Sequence, residues 1–296
     1  MAHWRMTEPP GGSFQSGTRH AKTGIAYSAT LASLTDPGRD VSFFERQPRS
    51  LEALAAEMAR LAYRDFEAGG RRLERALSKV DFRLEAAPFD DGNTQAFIAG
   101  SAHLRVLSLR GSDDLRAWQT NARTRPVPWD GPGLAHQGFA EAWQAARREL
   151  EPLVTGRGEG RPLLVTGHSL GGALATLAAA HLPRALLYSF GAPRVGNRAF
   201  AHALDKHAER LHRYVNHRDP VPLLPPGLLG YRHCGSAYHI DREGSVGALA
   251  PGRRRVRLQD MEMLFGRLKR ALKDPAAGLR NDLTDHSPLN YVSALR

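Results

Sequence analysis

Two stretches early in the chain repeat apolar residues at helical spacing. The first has them at Leu51, Leu54, Ala55, Met58, Leu61 and Ala62, and the second at Leu73, Leu77 and Val80. This spacing places apolar side chains on one face of a helix. Next come two apolar runs, "TQAFIA" (94–99) and "LRVLSLRG" (104–111), joined by a small turn. We predict two helices followed by a two-stranded hairpin.

Helix and strand patterns alternate over the next hundred residues. A long amphipathic helix over 139–153 precedes a short buried strand at 163–166, an alanine-rich helix at 173–181 and the strand "ALLYSF" (185–190). A helix near 197–210, the strand "HRYVN" (212–216) and the strand "SAYHID" (236–241) follow. This alternation predicts an α/β fold with a mostly parallel sheet covered by helices on both faces. Ligands of such sheets bind beyond the carboxyl ends of the strands.

The first 45 residues are rich in Gly, Pro, Ser and Thr and have no sustained period. They predict a partly ordered N-terminal arm. The chain has 296 residues, of which 42% are hydrophobic, so one large core is expected. We therefore predict an arm at 1–45 and a single domain at 46–296.

Several function classes are disfavoured by what the sequence lacks. No run approaches about 18 consecutive apolar residues, and residues 1–20 have no apolar centre of a secretory signal. The expectation is therefore no transmembrane segment, and either a cytoplasmic location or export by a signal-independent route. Cys234 is the single cysteine, which excludes an intrachain disulfide, a multi-cysteine zinc site and a CxxC redox motif.

The chain is strongly basic. Its formal net charge is +11 and its isoelectric point is about 10.3, which indicates an anionic partner without saying which one. A nucleic-acid role would rest on charge alone, because neither zinc-finger spacing nor an RNA-recognition aromatic motif is present. We do not predict a nucleic-acid partner.

The stretch "LLVTGHSLGGALATLAAAHL" (163–182) brackets one serine, Ser169, with glycines two positions to either side. Apolar residues before it and an alanine-rich helix after it form a strand, a turn and a helix. This is the setting of a nucleophile elbow, a strained turn that exposes a reactive serine at the top of a sheet. A serine that merely caps the helix is the alternative.

A serine nucleophile needs a histidine base, and the histidine needs a carboxylate. In this kind of site the acid follows the serine along the chain, and the histidine follows the acid. Asp219 is well placed to be the acid, because it lies in a loop after the strand that ends at Asn216. Asp205 and Glu209 lie inside a predicted helix and are interpreted as solvated charges.

Three histidines follow Asp219 in the chain. His239 falls within a predicted strand, where a packing role is favoured. His233 lies in a loop near the same strand and stays open as an alternative. His286 lies in the loop "TDHSPLNY", where the backbone is free to aim the imidazole at Ser169, and it is the favoured base.

An oxyanion hole needs two backbone N–H groups. Leu170, the residue after the serine, would supply one, and Ser112, at the end of an earlier strand, would supply the other. The alternative role for Ser112 is the N-cap of a helix that begins near Asp113.

Six blocks carry a resemblance to a known family. They are "RGS" (110–112), "HQGF" (136–139), "GHSLGG" (167–172), "FGAPRVGN" (190–197), "RDPVPLLPP" (218–226) and "DHSPLNY" (285–291). Together they resemble the class 3, fungal-type lipases over roughly residues 51–291. The chain departs from that family in lacking its paired cysteines and in having a short, polar segment after Ser112.

The resemblance implies an α/β-hydrolase fold, a triad of Ser169, Asp219 and His286, and an oxyanion hole of Ser112 and Leu170. It also implies that His136 is not catalytic. The implied function is a serine ester hydrolase, a lipase or esterase that cleaves acylglycerols through an acyl-enzyme, with no cofactor and no metal. Phospholipase A1 and feruloyl esterase activities are the alternatives on the same scaffold. A non-catalytic binding protein of this fold is a further alternative.

Much of the excess charge lies in residues 253–280, with nine basic residues against three acidic ones. The same segment has apolar residues at helical spacing, among them Leu258, Phe265 and Leu272. A helix docked on the core with a solvated basic face is one interpretation. The other is that this face contacts an anionic lipid surface, to which each Lys or Arg contributes about 1 kcal/mol.

Overall fold

The computed structural model describes residues 48–64, 66, 70–111, 125–156, 160–249 and 284–295. Its α-helices are α1 (Leu51–Leu61), α2 (Arg71–Leu77), α3 (Gln137–Gly156), α4 (Leu170–His181), α5 (Arg198–Asp205) and α6 (Pro288–Leu295). Its strands are β1 (Arg83–Leu84), β2 (Phe89–Asp90), β3 (Gln95–Gly100), β4 (Arg105–Leu109), β5 (Pro126–Pro128), β6 (Leu134–His136), β7 (Leu163–His168), β8 (Leu186–Phe190), β9 (Gly196–Asn197), β10 (Leu211–Asn216), β11 (Tyr231–Arg232), β12 (Ser236–Ile240) and β13 (Val246–Ala248).

The main sheet has the strand order β1-β3-β4-β7-β8-β10-β12-β13, with β2 paired to β3. The five central strands from β4 to β12 are parallel, and the edges are antiparallel. The predicted hairpin is confirmed, since β3 and β4 pair antiparallel with Ala96 opposite Leu109. The prediction of a mostly parallel sheet is confirmed as well.

Each face of the sheet carries its own apolar core, as the alternation of side chains along a strand requires. Helices α1, α2 and α6 pack on one face, against Val106, Leu164 and Tyr188. Helices α3, α4 and α5 pack on the other, against Leu107, Val165 and Leu187. This is the α/β-hydrolase arrangement that the family resemblance implies.

Helix α1 is fixed to the sheet by hydrogen bonds as well as by apolar contact. Its N-cap residue, Ser50, accepts from the backbone N–H of Ala53 (3.3 Å). Ser108 of β4 donates to Met58 O (2.9 Å), and Thr166 of β7 donates to Ala55 O (3.0 Å). These buried hydroxyls satisfy their hydrogen-bonding needs on the helix backbone. They hold the end of α1 above the carboxyl ends of β4 and β7.

A second, four-stranded sheet has the order β11-β9-β6-β5, and the sequence patterns did not predict it. Its strands are two or three residues long, too short to show a period of two. It ties the segment that follows β8 to the segments that precede α3 and β12.

Two further features differ from the sequence-based expectation. The residues after His286 form the short helix α6 instead of continuing as a loop. Asp205 is half-buried, and its carboxylate accepts from the backbone N–H of Gly235 (2.8 Å), so it is not simply a solvated charge. Glu209 is exposed, as expected.

The N-terminal arm predicted for residues 1–45 lies outside the described residues, as do Ser112 and the basic segment 253–280. The division into an arm and one domain at 46–296 stays a prediction. Within the ranges that the structure describes, no helix combines the length and apolar character needed to cross a membrane.

Candidate active site

Ser169 occupies a strained turn between β7 and α4. Its backbone has φ 58° and ψ −127°, a conformation that residues with a Cβ rarely adopt. Its N–H donates to Phe190 O at the end of β8 (2.9 Å), and its carbonyl accepts the first hydrogen bonds of α4, from Gly172 and Ala173. The turn therefore presents the serine side chain at the carboxyl edge of the sheet.

The glycines on either side of Ser169 are required by close contacts of the backbone. A Cβ on Gly167 would lie 2.3 Å from the carbonyl group of Gly171. A Cβ on Gly171 would lie 2.1 Å from Leu109 O of the neighbouring strand. Real Cβ atoms do not approach other atoms so closely. The G-x-S-x-G spacing is thus explained by the path of the chain through the turn.

The structure brings Ser169, His286 and Asp219 together in one hydrogen-bonded chain. His286 Nε2 lies 2.9 Å from Ser169 Oγ, and His286 Nδ1 lies 2.8 Å and 3.0 Å from the two carboxylate oxygens of Asp219. The three residues are at most 4% exposed. With the carboxylate ionised, Nδ1 carries the proton and Nε2 accepts from the serine hydroxyl.

Asp219 follows β10 and is held by several donors. Its carboxylate accepts from Val221 N–H (2.9 Å) and from the hydroxyl of Tyr291 in α6 (2.6 Å). The same hydroxyl accepts from Asn216 N–H at the end of β10 (3.0 Å). The Asn216 side chain donates to Asp285 O (2.9 Å), which ties the acid to the turn that carries the base. Burial and the neighbouring carboxylate raise the pKa of Tyr291 well above its ordinary value, so its hydroxyl stays a donor.

Gly191, directly after β8, makes room for this acid and base. It has φ 59°, and a Cβ placed on it would lie 2.7 Å from an Asp219 carboxylate oxygen and 3.0 Å from His286 Nδ1. A side chain here would push the two groups apart. The loop after β8 therefore forms one wall of the site only because it has glycine at this position.

A second histidine, His168, lies beneath the first. Its ring centroid is 4.5 Å from that of His286, and its Nε2 lies 2.6 Å from the backbone carbonyl of His286. Its Nδ1 lies 2.8 Å from the hydroxyl of Tyr63, just beyond α1. Burial, and after it the charge of His286, lower the pKa of His168 well below its ordinary value. His168 is thus neutral, donates through Nε2 and fixes the backbone of the turn that carries His286.

Of the two groups expected to bind an oxyanion, one lies in the described residues. Leu170 is the first residue of α4, and its N–H belongs to the first turn, whose N–H groups have no partner inside the helix. It follows Ser169 directly in the chain and lies at the positive end of the helix dipole. Ser112 lies outside the described residues, so its role stays a prediction.

The other candidate histidines have different partners. His233 Nε2 lies 2.7 Å from Pro222 O, a hydrogen-bonding contact within its own loop. His239 Nε2 lies 3.0 Å from His217 O. His136 is buried and stacks on Phe139, and burial lowers its pKa to about 4. Of the histidines considered as the base, the structure places His286 against Ser169.

Three residues of this site were not found by sequence reasoning: Tyr63, His168 and Tyr291. His168 lies inside the "GHSLGG" block, and Tyr291 is the last residue of the "DHSPLNY" block. Their position within these blocks is the sequence feature that could have marked them as site residues. No sequence pattern distinguishes Tyr63.

The arrangement can move a proton from a hydroxyl to an imidazole that a buried carboxylate orients. No group of three or more His, Cys, Asp or Glu side chains suited to a metal ion is found in the described part of the chain. The contacts among Ser169, His286 and Asp219 are those that nucleophilic catalysis by a serine side chain requires.

Comparison with known proteins finds similarity to lipases. The family model "Lipase (class 3)" matches residues 106–228. A relative from Fusarium solani, named secreted mono- and diacylglycerol lipase 1, is 40% identical over 146 residues, which is 46% of this chain and 44% of the relative. The chain spans about half the length of the curated relatives it matches.

Solved structures agree in fold. The lipase from Rhizopus microsporus var. chinensis has a TM-score of 0.57 at 26% identity and covers 79% of this chain and 85% of its own. A triacylglycerol lipase whose catalytic centre is described as a serine protease triad has a TM-score of 0.57 at 29% identity, with coverages of 66% and 80%.

Proposed function

We propose that the chain, which is similar to class 3 lipases over residues 106–228, is a serine carboxylic ester hydrolase that cleaves acylglycerols through an acyl-enzyme. The observation that carries the proposal is the 2.9 Å contact between Ser169 Oγ and His286 Nε2, with Asp219 on the far side of the imidazole. In this proposal Ser169 is the nucleophile, His286 the general base and acid, and Asp219 the residue that orients the base.

Acylation begins when Ser169 Oγ attacks the ester carbonyl carbon and its proton passes to His286 Nε2. The imidazolium that forms is stabilised by the Asp219 carboxylate, which lies 2.8 Å from Nδ1. The negative charge that develops on the carbonyl oxygen lies beside the N–H of Leu170, and in the proposal also beside Ser112.

Collapse of the tetrahedral intermediate breaks the bond to the leaving alcohol, which takes the proton from His286 Nε2. A water molecule then gives its proton to the same nitrogen and attacks the acyl carbon. Ser169 Oγ leaves and regains a proton, so the fatty acid is released and the enzyme is restored.

Acylglycerol as the substrate class is supported by the names of the relatives, which include secreted mono- and diacylglycerol lipases from Fusarium and Penicillium. The substrate class is tested by measuring hydrolysis of a series of esters. The series contains p-nitrophenyl esters of rising chain length, di- and triacylglycerol emulsions, a phospholipid and a feruloyl ester. We expect acylglycerols to exceed the phospholipid and the feruloyl ester by about tenfold or more in kcat/KM, or about 1.4 kcal/mol.

Each alternative gives a different result in the same series. A higher kcat/KM for phospholipid would point to a phospholipase A1, and a higher one for the feruloyl ester would point to that esterase. If the folded protein hydrolysed none of them, the non-catalytic binding protein would be favoured.

We expect Tyr291→Phe to lower kcat by about tenfold while leaving KM little changed. The substitution removes the hydroxyl that donates to the Asp219 carboxylate over 2.6 Å, and a hydrogen bond to a charged group contributes roughly 1.5–3 kcal/mol. The measurement is the steady-state kinetics of a short-chain p-nitrophenyl ester.

Tyr238→Phe is the matched control for this substitution. It removes the same atom from another buried tyrosine, which stacks on Tyr214 within the sheet (4.9 Å between centroids). We expect its kcat to stay at the wild-type value. A kcat for Tyr291→Phe within a factor of about two of wild type would contradict the role given to this hydroxyl, since that factor is about 0.4 kcal/mol.

Two further proposals concern where the protein acts. Relatives that are named as secreted support the alternative of export. The positive charge of segment 253–280 supports contact of the protein with anionic lipid. If this contact forms, the binding of the protein to anionic vesicles should weaken as the salt concentration rises.

A further inference from the structure

We propose that the turn Gly227–Leu229, called here the leucine tip, inserts into an anionic lipid surface and anchors the active-site edge of the protein on it. The inference rests on the proposed function, since it names the surface from which a lipid ester would be drawn.

The leucine tip exposes two adjacent large apolar side chains. Leu228 is 81% exposed and Leu229 is 58% exposed. Among the described residues, the other exposed large hydrophobic side chain is Leu249, at 43%. Single exposed leucines are ordinary on protein surfaces, whereas a pair at the end of a turn offers apolar area to a partner.

The leucine tip lies in the segment that leaves the carboxyl edge of the sheet at Asp219 and returns to the amino edge at the start of β12. Arg194, four residues after the end of β8, fastens the part of this segment that precedes the tip. Its backbone N–H donates to Leu224 O (2.7 Å), and its buried guanidinium donates to Leu223 O and to Pro225 O (2.8 Å). Leu228 is three residues beyond Pro225, a reach of at most about 10 Å. Through Arg194 the tip is therefore tied to the segment that follows β8, whose first residue, Gly191, lines the site.

The backbone of the tip is already hydrogen-bonded, which lowers the cost of removing it from water. Leu229 N–H donates to Pro226 O (3.0 Å), and Gly230 N–H donates to Gly227 O (3.1 Å). Arg232 Nη1 also donates to Gly227 O (2.8 Å). Insertion would thus remove mainly side-chain apolar surface from water.

Positive charge next to the leucines favours an anionic partner. Arg232 is exposed, and its guanidinium contacts the base of the tip. Arg194 and Arg213 lie close by: burial, and after it the charges of Arg213 and Arg232, lower the pKa of Arg194 to about 10. Leucines below the headgroups with the exposed Arg232 at headgroup level would form the arrangement of an interfacial anchor. This charge selects an anionic phospholipid surface as the occupant.

The test is co-sedimentation of the full chain with vesicles of phosphatidylcholine and of its equimolar mixture with phosphatidylglycerol. The variant is Leu228→Ser combined with Leu229→Ser. Burying one leucine side chain is worth a factor of roughly ten to a hundred in a partition constant, so we expect the variant to bind the mixed vesicles at least about tenfold more weakly. Leu228→Phe combined with Leu229→Phe should bind more tightly than wild type.

Leu249→Ser is the matched control. Leu249 follows β13, and its N–H donates to Ala237 O (2.8 Å), near the amino end of β12 and thus at the opposite edge of the sheet. We expect this variant to bind vesicles like wild type. The weaker vesicle binding of the tip variant, relative to wild type, should persist at about 1 M salt. At this concentration the Debye length is about 3 Å, so the basic segment contributes little to vesicle binding.

The inference is overturned if the tip variant binds as well as wild type, if Leu249→Ser weakens binding equally, or if wild type binds neither kind of vesicle. Hydrolysis of a dissolved p-nitrophenyl ester is measured in parallel. Loss of vesicle binding with retained hydrolysis of the dissolved ester supports the anchor. Absence of hydrolysis by wild type would count against the proposed function, while the binding comparison would still decide on the tip.

Discussion

Ser169→Ala is expected to lower kcat by roughly six orders of magnitude, the effect known for removal of a nucleophile from a serine hydrolase. The hydroxyl is the atom that bonds to the acyl group, and no described side chain replaces it at 2.9 Å from His286 Nε2. Alanine keeps the Cβ, so the backbone strain at φ 58° is unchanged and the fold should survive. The measurement is kcat on a short-chain p-nitrophenyl ester, with circular dichroism to verify folding.

Ser236→Ala is the control for this substitution. Its hydroxyl donates to Ala208 O (3.2 Å) at the amino end of β12, at the opposite edge of the sheet. We expect wild-type kcat for this variant. A Ser169→Ala protein that retained about a tenth of wild-type turnover, equivalent to a barrier change of only 1.4 kcal/mol, would rule out Ser169 as the nucleophile.

His286→Ala is expected to be nearly as damaging as Ser169→Ala, whereas His233→Ala should be mild. Residues that act as one unit lose the same catalysis when any one of them is removed, and their effects do not add. His286 contacts both Ser169 and Asp219, while the described contact of His233 Nε2 is with Pro222 O. Asp219→Asn should be somewhat gentler, because the serine and the base both remain.

His286 is fully buried, so the alanine variant also needs a check of its thermal unfolding. His286→Gln, which keeps more of the volume, should lose activity to a similar extent. If His233→Ala abolished hydrolysis in a folded protein and His286→Ala did not, the assignment of the base would be wrong.

The features that the sequence predicts are local. The pattern from Leu163 to Leu182 contains the strand, the turn and the helix within twenty residues, and the structure has β7, the strained turn at Ser169 and α4 there. The alternation of helices and strands predicted the parallel sheet for the same reason, since each element carries its own period.

The contacts that complete the site connect distant parts of the chain. His286 lies 117 residues from Ser169, and position alone left His233 open as an alternative until the family resemblance favoured His286. Tyr63 and His168 are 105 residues apart, and Tyr291 and Asp219 are 72 apart. No periodicity encodes such pairings, because they depend on how the helices pack on the sheet. The short strands of the second sheet are not predictable from the pattern, because two or three residues cannot show a period.

The most direct test of the central claim is titration of the protein with a serine-directed fluorophosphonate, followed by peptide mass spectrometry. We expect one covalent adduct per chain, located on Ser169, with ester hydrolysis lost in proportion to labelling. Labelling should be absent in Ser169→Ala and greatly slowed in His286→Ala. An adduct on a different residue, or full hydrolysis by a protein that does not react at Ser169, would contradict the central claim.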